Sequence, residues 1–97
     1  MEYSFDWDPV KARINARKHG IRFEESVAVF KDPRALTLLD MEHAEVEERW
    51  VTMGMIARTC ICVVHHTFRE VPEGAVLIRI FSARKATRRE QLQYLEK

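Results

Sequence analysis

The 97-residue chain reads as one α+β domain over residues 1–97: two N-terminal helices, an antiparallel sheet of three to four strands, and a C-terminal helix. Three observations predict it. Phe23, Val27 and Phe30 follow the i, i+4, i+7 spacing of a helical apolar stripe. Thr59 to Phe68 is β-rich and nearly all apolar, the mark of a buried strand. Thr87-x-x-Glu90 is a capping box placed just ahead of Leu92 and Leu95.

The elements follow in order. Phe5 and Trp7 suggest a short first strand. Asp8-Pro9 supplies an N-cap and a proline at the first helical position. That helix carries Val10, Ala12, Ile14 and Ala16 and stops at Gly20. The second helix starts at Phe23 and ends at Asp32-Pro33, because proline disfavours helix in the residue before it. Ala35 to Leu39 is a strand, and Asp40 to Glu45 a polar turn. Glu48 to Met55 is the next strand, and Ile56 to Arg58 turns the chain into Thr59 to Phe68. Arg69 to Gly74 is a loop, and Ala75 to Phe81 the last strand. The capping box places the final helix at 88–96. Short connectors between successive strands favour hairpins, hence an antiparallel meander.

Composition narrows the class. At 46% hydrophobic the chain can bury a core, and at 32% charged it should be soluble. No apolar run approaches the roughly 20 residues of a membrane span. The N-terminus is acidic and lacks a signal-peptide core, so a cytoplasmic location is expected. Net charge is only +1, giving no global pull on a polyanion. The distribution is uneven, however. Residues 79–97 carry six Lys/Arg against two Asp/Glu, and residues 23–50 carry three against eight. Residues 1–22 are basic again, five against three. If the two ends meet, they make one positive patch. Cys60 and Cys62 share one face of a strand and read as buried thiols. No Cys/His spacing supports zinc, so neither metal nor cofactor is expected.

The basic block from Arg79 to Arg89 carries the functional signal. It begins on a strand and ends on a helix, where unpaired backbone N–H groups attract anions. Arg79 alternates with Ile78 and Ile80, so it leaves the core face of its strand. Arg84 falls in the joint before the cap, with Lys85 and Arg88 behind it. The bland reading is a solvated helix face paired with Glu90 and Glu96. His65 and His66 are adjacent and must face opposite sides; one is buried, and the other could face a cleft with Arg79. The residues themselves leave open which, and His66 is taken as the site candidate. His19 is explained as a dipole partner at a helix end, and His43 as solvent-exposed. Glu42, Glu45 and Glu47 make a charged turn. Glu48 differs, since Arg49 and Trp50 follow it into a strand; near arginines a carboxylate serves as base or orienter. Trp7, Trp50 and Tyr94 could stack on bases, although core packing explains Trp50.

Taken together, several stretches resemble the BrnT family of bacterial type II toxins, whose fold is similar to the RelE ribonuclease toxins. They are Phe5-Asp6-Trp7-Asp8, Lys18-His19-Gly20, Phe23-Glu24-Glu25 with Val29-Phe30, Asp32-Pro33, Glu47-Glu48-Arg49-Trp50, Gly54, and Arg79-Ile80-Phe81-Ser82-Ala83-Arg84 with Thr87-Arg88-Arg89-Glu90. They run in the family's order along nearly the whole chain. The resemblance implies a small ribonuclease that arrests translation. It also implies a cognate ribbon-helix-helix antitoxin, with a two-to-two complex as one arrangement, and operator DNA reached only through that antitoxin. It carries Arg79 and Arg84, then Glu48 and Arg49, into the site. His65-His66 and the loop through Pro72 depart from the family's pattern.

Metal-free cleavage of RNA uses the 2′-hydroxyl against the adjacent phosphate. It requires removal of the 2′-proton, stabilisation of an anionic phosphorane, and protonation of the 5′-oxygen. The expected assignment gives Arg79 and Arg84 to the phosphorane and Glu48 or His66 to acid–base work. Lys11, Lys18, Arg49, Lys85 and Arg88 would hold the RNA backbone. Two other functions fit the same residues: a non-catalytic nucleic-acid or ribosome-binding module, and a partner that only docks an acidic antitoxin segment.

Overall fold

The structure is a computed structural model that describes residues 2–42, 48–58 and 60–96. In chain order the elements are β1 (Tyr3–Asp6), α1 (Pro9–His19), α2 (Phe23–Ser26) running into a 3-10 helix (Val27–Lys31), and β2 (Leu36–Leu39). Then come β3 (Trp50–Ala57), β4 (Cys60–Glu70), a 3-10 turn (Pro72–Gly74), β5 (Val76–Lys85) and α3 (Arg88–Glu96). The α+β class holds. The turn residues 43–45 and the strand-start residue Thr59 lie outside the described residues, as do His43, Glu45 and Glu47 of the predicted acidic turn.

The sheet is larger than predicted and mixed. Its order is β1-β5-β4-β3-β2. β2 through β5 form the expected antiparallel meander. β1 adds a fifth strand, parallel to β5, with Phe5 opposite Ile78 and Asp6 opposite Arg79. That pairing joins the two ends of the chain and has no local signature.

Helix ends obey local rules. The Asp8 carboxylate accepts the Val10 N–H at 2.8 Å. Gly20 takes the left-handed φ of 71° that closes α1, a conformation costly for residues with a Cβ. At α3, Thr87 Oγ1 accepts the Glu90 N–H and Glu90 Oε1 accepts the Thr87 N–H, completing the capping box.

The packing of α1 was not legible. Val10 and Ile14 face solvent, and Asn15 is the buried residue of the helix. Its Nδ2 donates to the carbonyls of Ile21 (3.0 Å) and Ala83 (2.8 Å), while its Oδ1 accepts the Ala83 N–H. β1 ends opposite Arg79, so among the described residues no strand pairs with the outer edge of β5 at Ala83. The Asn15 amide supplies the pairing a strand would have given.

The two sheet faces are covered unequally. On one, Cys62, Val64, Ile78, Ile80 and Ala83 pack with Ile21, Phe23 and Val29 from the helical layer. On the other, Ile61, Val63 and Met53 pack with Ala86 and Tyr94. The Tyr94 hydroxyl donates to Asp32 Oδ2, which also accepts the Met55 N–H at 2.8 Å. Burial pushes the Asp32 carboxyl up, but these bonds outweigh it and hold the group below its ordinary value. α3 therefore covers one end of this second face, and the rest lies open. Cys62 is buried and its thiol is pushed up to about 12, chiefly by burial, as suits a core thiol.

Candidate functional site

A bulge in β5 decides what the open face presents. His65 pairs with Ser82 but His66 with Ile80, so Phe81 is an extra residue on β5. The inward series Ile78, Ile80 then resumes at Ala83 rather than at residue 82. As a result Arg79 and Arg84 share one face. β5 also continues through Lys85, so Arg84 sits on a strand and not in an irregular joint.

The two arginines lie opposite Thr67 and Val63, four residues apart on β4. That is about 13 Å of strand. Each already holds a carboxylate. Arg79 Nη1 donates to Asp6 across the parallel pair, in an exposed setting. Arg84 is engaged by both its terminal nitrogens: Nη1 to Glu90 Oε1 at 2.7 Å and Nη2 to Oε2 at 2.9 Å. This fork lowers the Glu90 carboxyl to about 2 and raises the Arg84 guanidinium. Arg84 thereby anchors the first turn of α3, while Arg79 keeps more of its N–H groups for a ligand.

Glu48 and Arg79 are brought together. With Asp6, Thr67, Phe68, Arg69 and Leu77 they line a hollow of about 460 Å³ on the open face. A second hollow of about 220 Å³ is lined by Asp40, Arg49, His65, Phe81 and Ser82. A third, of about 180 Å³, shares Phe81 and Ser82 and adds Lys11, Ile14, Asn15, Lys18 and His19. Phe81 joins the last two. The Arg49 guanidinium lies 4.5 Å and the Lys11 ammonium 5.7 Å from its ring centre, a cation–π arrangement at the sheet edge. Lys11, Lys18 and Arg49 thus border the pair of hollows joined at Phe81, which share no lining residue with the Arg79 hollow.

Three predicted residues fall elsewhere. His66 is 0% exposed. Its ring is packed edge-on by Phe30 and Phe68, at 4.8 and 4.7 Å between centres. Its Nε2 shares a 2.7 Å hydrogen bond with the Thr52 hydroxyl, which is 2.9 Å from the Thr37 hydroxyl. Burial lowers its pKa to about 4. His66 is therefore a neutral core residue, on the face opposite Arg79. Lys85 pairs in register with Cys62, so it alternates away from Arg84. Arg88 opens α3, exposed and outside these hollows.

The sequence left open which of His65 and His66 faces Arg79, and it did not single out Asp40, Phe81 or Thr67. His65 is the histidine on the Arg79 side, with its Nδ1 3.8 Å from Asp40 Oδ2. Residues 60–66 are apolar or histidine throughout, and alternation cannot orient a strand whose two faces are equally apolar. The stacking candidates Trp7 and Trp50 pack edge-on against Phe23 and Phe68, and Tyr94 is buried under α3.

A basic, half-covered sheet face backed by helices is what a small RNA-cutting domain needs. The family model for the ribonuclease toxin, BrnT, of type II toxin-antitoxin systems matches residues 7–90. The chain belongs to that family: it is a ribonuclease toxin of a type II toxin–antitoxin system, with an RNA substrate and an antitoxin partner. Among solved structures, the 1.1 Å crystal structure of the Brucella abortus ribonuclease toxin, BrnT, matches with a TM-score of 0.60 and 22% identity. The match covers 91% of this chain and 100% of that one, and it shows a shared fold. A search of curated proteins returned no match. Among the described residues no helix is long and apolar enough to cross a membrane, and no group of three His, Cys, Asp or Glu could hold a metal ion.

Proposed function

We propose that this toxin cuts RNA without a metal, through the 2′-hydroxyl, on the open sheet face around Arg79. The observation that carries the reading is the hollow that Glu48 and Arg79 share. A guanidinium there can meet the non-bridging oxygens as charge develops in the transition state. Glu48 is the general base for the 2′-proton. Lys11, Lys18 and Arg49 hold the flanking backbone. Arg84 contributes a flanking phosphate contact through the N–H groups that Glu90 leaves over, and Lys85 and Arg88 act at longer range. Cleavage arrests translation in the cytoplasm, and the antitoxin is a ribbon-helix-helix protein that alone contacts operator DNA, in a two-to-two complex.

One observation favours a second role for the same face. Arg79 is already paired with a carboxylate, Asp6. An acidic antitoxin segment in place of Asp6 would cover the site and silence it.

The test is cleavage of purified RNA in EDTA. Activity should persist, the products should end in 2′,3′-cyclic phosphate, and a DNA analogue should bind uncut. Arg79→Ala should lower turnover on the order of a hundredfold, as loss of an oxyanion donor does. Full activity in a folded Arg79→Ala variant, or abolition by EDTA, would overturn the reading.

A further inference from the structure

We propose that Phe81 is a stacking platform for one unpaired nucleobase of the RNA, beside the cut and separate from the Arg79 hollow. The inference deepens the function proposed above. It rests on that reading for where the cut lies, and on the RNA substrate of the family for the ligand.

The ring is left over by the core. Among the described residues every aromatic side chain except Phe81 and Tyr94 packs against another ring. Tyr94 is 3% exposed and bonded to Asp32. The role that the sequence offered to Trp7, Trp50 and Tyr94 is therefore open. Phe81 belongs to neither core cluster and is half-buried at the surface. It is the extra residue of the β5 bulge, which takes it out of the alternation that buries Ile80 and Ala83. Re-aiming one side chain is a recurrent use of a bulge. β1 stops opposite Arg79, so among the described residues no strand pairs with the edge of β5 beside the ring.

The surroundings of the ring suit a nucleotide. Hollows of about 220 Å³ and about 180 Å³ lie against it, and Ser82 lines both. Arg49, ahead of β3, and Lys11, on α1, reach the ring from separate elements. The result is a π-surface edged with positive charge. A nucleotide complements it part by part: its base offers a flat π-face and its flanking phosphates are anionic. Stacking needs no donor and acceptor pattern, so the platform accepts any base. It needs a base whose face is uncovered, so it selects single strands over duplex. Magnitudes favour the exchange. An exposed cation over a ring is worth about two- to fivefold in an equilibrium constant, and a stacked base about five- to a hundredfold. A cation moved off the ring stays within reach of the phosphates beside the base. Phe81 follows Arg79 by two residues, about 7 Å of strand, which sets the stacked base next to the cut.

The experiment measures binding at one fixed salt concentration, with two ligands of equal length. One is a single-stranded oligomer lacking 2′-hydroxyls, which binds without being cut. The other is the same sugar-phosphate chain with every base removed. The parent chain should bind the base-bearing strand at least tenfold more tightly than the abasic one. Phe81→Leu keeps an apolar side chain and removes the π-face. It should lose about tenfold on the base-bearing strand and less than twofold on the abasic strand, and Phe81→Tyr should restore parental binding to both. If Phe81→Leu is unfolded by circular dichroism, Phe81→Met takes its place. Equal losses on the two ligands, or no loss on the base-bearing one, overturn the assignment to Phe81. The reading of Arg79 fails separately: a parent chain with the expected base-dependent binding that does not cut RNA in EDTA overturns that reading and leaves the platform standing.

Discussion

His65 and His66 are consecutive residues of β4 with opposite surroundings. The His66 ring lies in the core between Phe30 and Phe68 and shares a hydrogen bond with Thr52. The His65 ring lies on the other face, against Asp40 and among the site cations. One is a packing residue kept neutral by its surroundings, and the other lines a hollow with Arg49 and Phe81.

His66 makes stability depend on pH. Its folded pKa is about 4 against an ordinary 6.5, so between those values the unfolded chain binds a proton that the folded one refuses. Its contribution is complete above about pH 6.5 and is lost as pH falls toward 4. The loss is on the order of 3 kcal/mol. His66→Leu should flatten that part of the curve, because Thr52 keeps its bond to Thr37. Urea unfolding at pH 7 and pH 5 for both proteins is the measurement. An equal fall in the two would refute the assignment.

Glu90 works at lower pH and in the same direction. Its carboxyl sits at about 2 because it takes the Arg84 fork and caps Thr87. Its stabilisation is present above about pH 4.5 and lost as pH falls toward 2. Glu90→Ala removes both the fork and the cap, and should cost about 1–3 kcal/mol at pH 7. Chemical denaturation read by far-ultraviolet circular dichroism reports it. A loss below about 0.3 kcal/mol would mean that α3 docks without the pair.

Gly54 sits beneath the 3-10 helix, not at a strained backbone. A Cβ there would lie 3.1 Å from both the Cβ and the carbonyl oxygen of Val29. Gly54→Ala must push the 3-10 helix off β3 and should cost about 1–3 kcal/mol. Thermal unfolding of the variant tests this, and an unchanged midpoint would show that Val29 gives way freely.

Lysines bordering the hollows joined at Phe81 should differ from those away from them. Lys18→Ala should reduce the salt dependence of RNA binding by roughly 0.7 in slope, one phosphate contact for a single strand. Lys85→Ala, on the opposite alternation of β5, should change it much less. Titrations of a single-stranded RNA at several salt concentrations separate them, and equal slopes for both variants would show that the ligand follows another path.

What could be read before folding was local. Asp8-Pro9, Gly20 and Thr87 with Glu90 set helix ends because their interactions reach only two to four residues along the chain. Arg79 was placed off the core by its alternation with Ile78 and Ile80, while the strand expected at Glu48–Met55 is observed at Trp50–Ala57, with Glu48 ahead of β3 and Gly54 inside it. Four things needed the tertiary structure: the parallel β1–β5 pair, the bulge at Phe81, the amide of Asn15 standing in for a missing strand, and the faces taken by the two histidines. Each depends on residues some tens of positions away. β4 is apolar along both faces because the helical layer covers one and α3 covers the end of the other at Ile61 and Val63, so its alternation carries no sign of which histidine turns inward. Only the register with β3 and β5 sets that sign, and a register is a property of the whole sheet.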